Sequence, residues 1–111
     1  MKREVMLWVA QRATAVVLAV CVVVHLATII YAVRGGLSAA EILGRTRGSI
    51  PWAAFYVVFV LACAIHGAIG LRTVASEWLG FRGAAAEWTV GAIALVLAII
   101  GLRAVAAVVG T

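Results

Sequence analysis

Ala13-Thr-Ala-Val-Val-Leu-Ala-Val-Cys-Val-Val-Val-His-Leu-Ala-Thr-Ile-Ile-Tyr-Ala-Val33 runs for 21 residues without a formal charge. Wound as a helix it is about 31 Å long, the thickness of the hydrocarbon core of a bilayer. An open strand of this composition would leave its peptide groups unpaired in lipid, so the run predicts a transmembrane helix. Lys2 and Arg3 ahead of it give the outline of a secretory signal. The apolar core of such a signal is about 7–15 residues, however, and this run reads as a retained helix.

Two more segments meet the same length requirement. The expected spans cover about residues 5–33, 51–74 and 87–109, joined by an interfacial connection, 34–50, and a polar, glycine-containing one, 76–86. Pro51 fits the first turn of the second span, where a missing N–H costs nothing. Ser38-Ala-Ala-Glu41 has the spacing of a capping box and opens a short helix in the first connection. With no long linker, low-complexity tract or internal repeat, residues 1–111 read as a single membrane-anchor domain. The predicted fold class is all-α: an integral membrane bundle of three transmembrane helices.

Composition points the same way. Of the 111 residues, 67% are hydrophobic and 12% charged, too few charges to cover a water-facing surface. The net charge of +5 does not signal nucleic acid, because the nine basic residues are scattered at the ends of apolar runs. Lys2, Arg3, Arg12, Arg72 and Arg82 fall on the N-terminal side, and Arg34, Arg45, Arg47 and Arg103 on the other. A difference of one does little to fix orientation and leans towards the N-terminus inside. Cys21 and Cys63 lie in apolar runs with no thiol beside them, as small packing residues do.

Each span carries a stripe of small or polar residues at three-four spacing: Thr14, Leu18, Cys21, His25, Thr28 and Ala32 on the first; Ala62, Cys63, His66, Gly67, Gly70 and Thr73 on the second; Gly91, Ala94, Ala98 and Gly101 on the third. In lipid such stripes mark where helices meet protein. Three short helices cannot enclose a cofactor and also face lipid everywhere else. The chain is therefore expected to be part of a larger helical assembly, with further helices supplied by another chain.

The chemistry concentrates in Ala64-Ile-His-Gly-Ala-Ile-Gly-Leu-Arg-Thr-Val-Ala-Ser-Glu77. His66 and Gly70 share a helix face, with Gly67 beside them. A neutral imidazole next to bare backbone can hold a flat metal macrocycle, and imidazole is a usual haem-iron ligand. The alternative is a histidine that only packs and hydrogen-bonds between helices. Arg72, about 9 Å further along, lies at the depth of haem propionates or lipid headgroups. His25 is the second candidate ligand, against the same packing alternative. Measured from Arg12 and Arg72, the two imidazoles differ in depth by roughly 10 Å, so they cannot grip one haem between them.

Arg12 either meets a propionate or quinone oxygen or snorkels to headgroups. Trp8, Trp52, Trp78 and Trp88 fit an aromatic belt, and Trp8 could also wall a quinone pocket. Glu77 could pair with Arg72, Arg82 or a partner's cation, or remain solvated. There is no aspartate, no Ser/His/acid set and no phosphate loop, which excludes hydrolytic chemistry.

These residues resemble the cytochrome b membrane-anchor subunits of succinate dehydrogenases and quinol:fumarate reductases. The resemblance covers Gln11 to about Phe81, and the third helix agrees in position only. The family's second helix reads H-x-x-x-G-x-R-H-x-x-x-D; here His66, Gly70 and Arg72 match, Thr73 replaces the second histidine and Glu77 the aspartate. Its first helix opens H-R-x-[ST]-G; here Arg12 and Thr14 match, while Gln11 and Ala15 do not. Trp8 stands where members with a mapped quinone site often have serine. The histidine in Val24-His25-Leu26 is similar to the two-haem branch.

The resemblance implies a non-catalytic electron-transfer subunit of a succinate:quinone oxidoreductase-type complex in the bacterial inner (cytoplasmic) membrane. Its cofactor would be haem b, one or two per assembly, with His66 and His25 as iron ligands and Arg12, Arg72 and Gly70 lining the cofactor. Quinone would be the diffusible substrate, at Arg12 and Trp8. Flavoprotein and iron-sulfur subunits would dock on the cytoplasmic side, and a second anchor chain or another copy of this one would complete the helices. The competing reading is a haem-free structural anchor that only docks the soluble subunits.

Overall fold

The computed structural model describes residues 2–110; Met1 and Thr111, the ends of the expected domain, lie outside the described residues. Four helices follow one another: α1 (Lys2–Gly35), α2 (Ala39–Thr46), α3 (Ile50–Leu79) and α4 (Ala84–Val109). No strand occurs among the described residues. α1, α3 and α4 are long and apolar enough to cross a membrane, and the chain is an all-α, multi-pass membrane protein.

All three spans outrun their apolar segments. α3 continues past Val74 through Ser76 and Glu77, because polarity ends a membrane crossing but not a helix. Gly80, at φ 65, ends it in the left-handed region, and the Phe81 N–H closes on the Ala75 carbonyl at 3.0 Å. At its other end the Ser49 hydroxyl accepts from the Trp52 N–H at 3.2 Å, with Pro51 in the first turn. α4 starts three residues before Glu87, at Ala84.

α3 is the middle helix. It packs along both α1 and α4, whereas those two do not pack along each other. Close approach follows from small residues: Cys21, Ala62, Ala64, Ala68 and Ala86 are buried together with Val105. Among the described residues no large side chain is fully buried, and Val16, Val20, Val23, Ile30 and Leu95 project outward. In lipid that exterior costs nothing, and it leaves broad faces for further helices.

α2 closes the end of the bundle far from the N-terminus. Its capping box forms: Ser38 Oγ accepts from the Glu41 N–H at 3.2 Å, and Glu41 Oε2 accepts from the Ser38 N–H at 3.0 Å and the Ser38 hydroxyl at 2.7 Å. These bonds, with Arg45 nearby, hold the Glu41 carboxyl below its ordinary pKa. The folded carboxylate sits over Gly36 (φ 128), whose missing side chain leaves it room. The buried Thr46 hydroxyl donates to the Val108 carbonyl at 2.5 Å, and the Gly48 N–H to the Val109 carbonyl at 2.8 Å. Those two bonds fasten α2 to the end of α4.

Candidate functional site: two interior imidazoles at two depths

His66 points from α3 towards α1. Its Nδ1 lies 3.2 Å from the Thr14 hydroxyl, which is itself 2.7 Å from the Ala10 carbonyl. The flanking glycines divide. A Cβ on Gly67 would meet nothing within 4 Å, so the backbone beside the imidazole is open. A Cβ on Gly70 would lie 3.6 Å from Gln11 Nε2, an ordinary contact, so Gly70 faces the α1 side chain instead. Gln11 Oε1 is buried there without a hydrogen-bond partner.

Arg72 belongs to a charge cluster at the N-terminal end of the bundle. Its Nε donates to Glu87 at 2.8 Å and its Nη2 to Glu4 at 3.2 Å, while Arg3 reaches the other Glu87 oxygen at 2.5 Å. Arg3 and Glu4 of α1, Arg72 of α3 and Glu87 of α4 thereby tie the three spans together. Glu77, expected as a possible partner of Arg72 or Arg82, pairs with neither among the described residues. Arg72 is taken by α1 and α4, and Arg82 donates to the Ser76 carbonyl.

Arg12 lies outside this cluster. Its guanidinium stacks on the Trp8 ring, 5.3 Å from the centroid, one turn away on the same exposed face of α1. Trp8, Trp78 and Trp88 all project outward at this end, as belt residues do. Trp52 does not. It stacks on Tyr56 at 5.7 Å, inside the protein, because the next turn of α3 offers an aromatic face.

His25 occupies the other half of the bundle. Its ring meets Tyr56 and Phe59 of α3 edge-on, at 6.0 and 5.4 Å, and its Nδ1 is buried without a partner. It lines a cavity of about 750 Å³ between α1, α2 and α3, with Thr28, Tyr31, Arg45, Trp52 and Tyr56. Arg45 lies over the Tyr31 ring at 5.3 Å and donates to the Gly36 carbonyl at 3.0 Å.

Cross-helix contacts set the two depths. Thr14 is level with His66, and His25 with Tyr56 and Phe59. The eleven residues from Thr14 to His25 correspond to about 16 Å along α1, and the seven to ten from His66 to Phe59 and Tyr56 to about 10–15 Å along α3. The imidazoles stand too far apart for one iron. Among the described residues no three His, Cys, Asp or Glu side chains gather into a metal-ion site. What the interior offers is isolated imidazoles, the donors a porphyrin-held iron takes.

Residue patterns did not single out Thr14 as the neighbour of His66, nor Glu4 and Glu87 as those of Arg72. The shared small-residue stripe was the only sign of the first. For the second, acidic residues in the first turns of α1 and α4 match the helix dipole and gave no hint of a partner. Arg45 and Tyr56 carried no signal, since an interfacial arginine and a span tyrosine are ordinary in lipid.

Together these features define a class: polytopic membrane proteins that hold imidazoles inside a helical bundle. The family described as the succinate dehydrogenase/fumarate reductase transmembrane subunit matches residues 1–106, and the chain belongs to it. It is an anchor-type electron-transfer subunit, not an independent enzyme. Comparisons with curated proteins and with solved structures gave no match.

Proposed function

We propose that this chain carries haem b in a succinate dehydrogenase- or fumarate reductase-type complex of the bacterial inner membrane. In that reading its N-terminus is cytoplasmic, flavoprotein and iron-sulfur subunits dock there, and quinone is the diffusible partner. The observation that carries the proposal is His66: an interior imidazole whose Nδ1 is held by α1 and whose flank at Gly67 is open. The residues fit the group. His66 would hold the haem iron through Nε2, and a second anchor chain or another copy of this one would supply the remaining protein ligand. Bound haem supplies a one-electron carrier at that depth.

The cations at this end have different roles in the proposal. Arg72 is already matched by two carboxylates, so it contributes mainly by fixing the three spans. Arg12, whose contact is an aromatic ring, is the freer cation for a propionate or a quinone oxygen, with Trp8 as the adjoining wall. His25, its buried Nδ1 unpartnered beside the cavity, would serve a second haem at the other depth, with Arg45 as its nearby cation.

The test is a reduced-minus-oxidised spectrum of the complex purified from membranes, with haem stoichiometry and subunit identification. His66→Ala should abolish a b-type signal or the His66-linked component of two. His25→Ala should remove only a second component. A colourless wild-type complex with the soluble subunits bound would leave the haem-free anchor as the function. An unchanged spectrum in His66→Ala would remove His66 as a ligand.

A further inference from the structure

The Thr14 hydroxyl touches three groups: the Ala10 carbonyl at 2.7 Å, the Gln11 carbonyl at 3.2 Å and His66 Nδ1 at 3.2 Å. A hydroxyl has one proton and two lone pairs. Both carbonyls are acceptors only, and the short contact to Ala10 takes the proton. The contact with His66 is then a hydrogen bond only if Nδ1 carries a proton and Thr14 accepts it. The reverse tautomer would set two lone pairs against each other in the membrane interior, where no water relieves them.

We infer that Thr14 is a positioning residue that fixes His66 as the Nδ1–H tautomer and leaves Nε2 bare for a metal. The inference rests on the haem reading of His66 and deepens it. An acceptor on the distal ring nitrogen orients a ligating imidazole and makes it a stronger donor. A stronger donor favours ferric over ferrous iron, so Thr14 holds the haem potential low. The fold makes this possible because Thr14 lies on the α1 face packed against α3, level with His66.

Thr14→Val keeps the shape and removes the acceptor; Thr14→Ser keeps the acceptor; Thr14→Ala is the gentler deletion if valine disturbs assembly. Each would be prepared in the full complex with ¹⁵N-labelled histidine. For Thr14→Val or Thr14→Ala we expect haem retention weaker by roughly 10- to 100-fold and a more positive midpoint potential. Thr14→Ser should restore both. The imidazole ¹⁵N signals should show His66 with its proton on Nδ1 in the wild type, and a gain of the Nε2–H form in haem-depleted Thr14→Val. Wild-type retention and potential in both deletions, or an Nε2–H tautomer in the wild type, would overturn the role of Thr14. A colourless wild-type complex would instead sink the haem reading, and the tautomer signals would still decide whether Thr14 sets the ring.

Discussion

Gly101 of α4 lies so close to Val60 of α3 that a Cβ at position 101 would overlap the valine methyls. Gly101→Ala should therefore destabilise the α3–α4 pair by about 1–3 kcal/mol of overpacking, offset by at most about 1 kcal/mol of helix propensity. Gly91, at the start of the same stripe, meets nothing within 4 Å. Gly91→Ala should leave the pair intact. Thermal unfolding of the detergent-solubilised complex distinguishes the two.

The Arg72–Glu87 contact joins α3 to α4, and Glu87 also receives Arg3 of α1. Glu87→Gln should lower the melting temperature of the complex more than Glu4→Gln. Glu87 serves two arginines, whereas Glu4 is largely exposed and holds one at 3.2 Å. Raising salt should narrow the gap between wild type and Glu87→Gln, because the Arg3 arm is open to screening. A salt-independent gap would mean that packing, not charge, carries the effect.

Glu41 has a lowered pKa in the folded protein, because Ser38 donates to its carboxylate. Its contribution to α2 is fully present above the ordinary carboxylate pKa and is lost as pH falls through the lowered folded value. Hydrogen exchange at the α2 amides, followed at each pH and normalised to the unfolded-chain rate, reads whether α2 is in place. In wild type the normalised rate should rise only below the ordinary carboxylate range. Glu41→Gln should lose that acid dependence. Ser38→Ala should weaken the helix at every pH, by about 1 kcal/mol.

Thr46 is buried and donates to the Val108 carbonyl. Thr46→Val should cost about 1 kcal/mol locally, the net worth of one hydrogen bond. The measurable sign is faster hydrogen exchange at the Gly48 amide, whose own bond to Val109 depends on the same seating. Exchange at wild-type rate would show that the Gly48 bond suffices to hold α2.

Much of this protein was legible before any contact was known. The number of spans, the Ser38–Glu41 cap and Pro51 in the first turn of α3 depend on local chemistry, and lipid admits only helices at such lengths. The unequal depths of His25 and His66 also follow from residue counts, because helical rise is nearly constant. The tertiary structure decided which side chains from distant segments share a level. It matched Thr14 to His66, gave Arg72 to Glu4 and Glu87 instead of Glu77, turned Trp52 inward onto Tyr56 and assigned Gly70 to Gln11. Those outcomes depend on the rotation and relative slide of one helix against the next. Small-residue stripes permit many such settings, and only the summed packing of all three helices selects one.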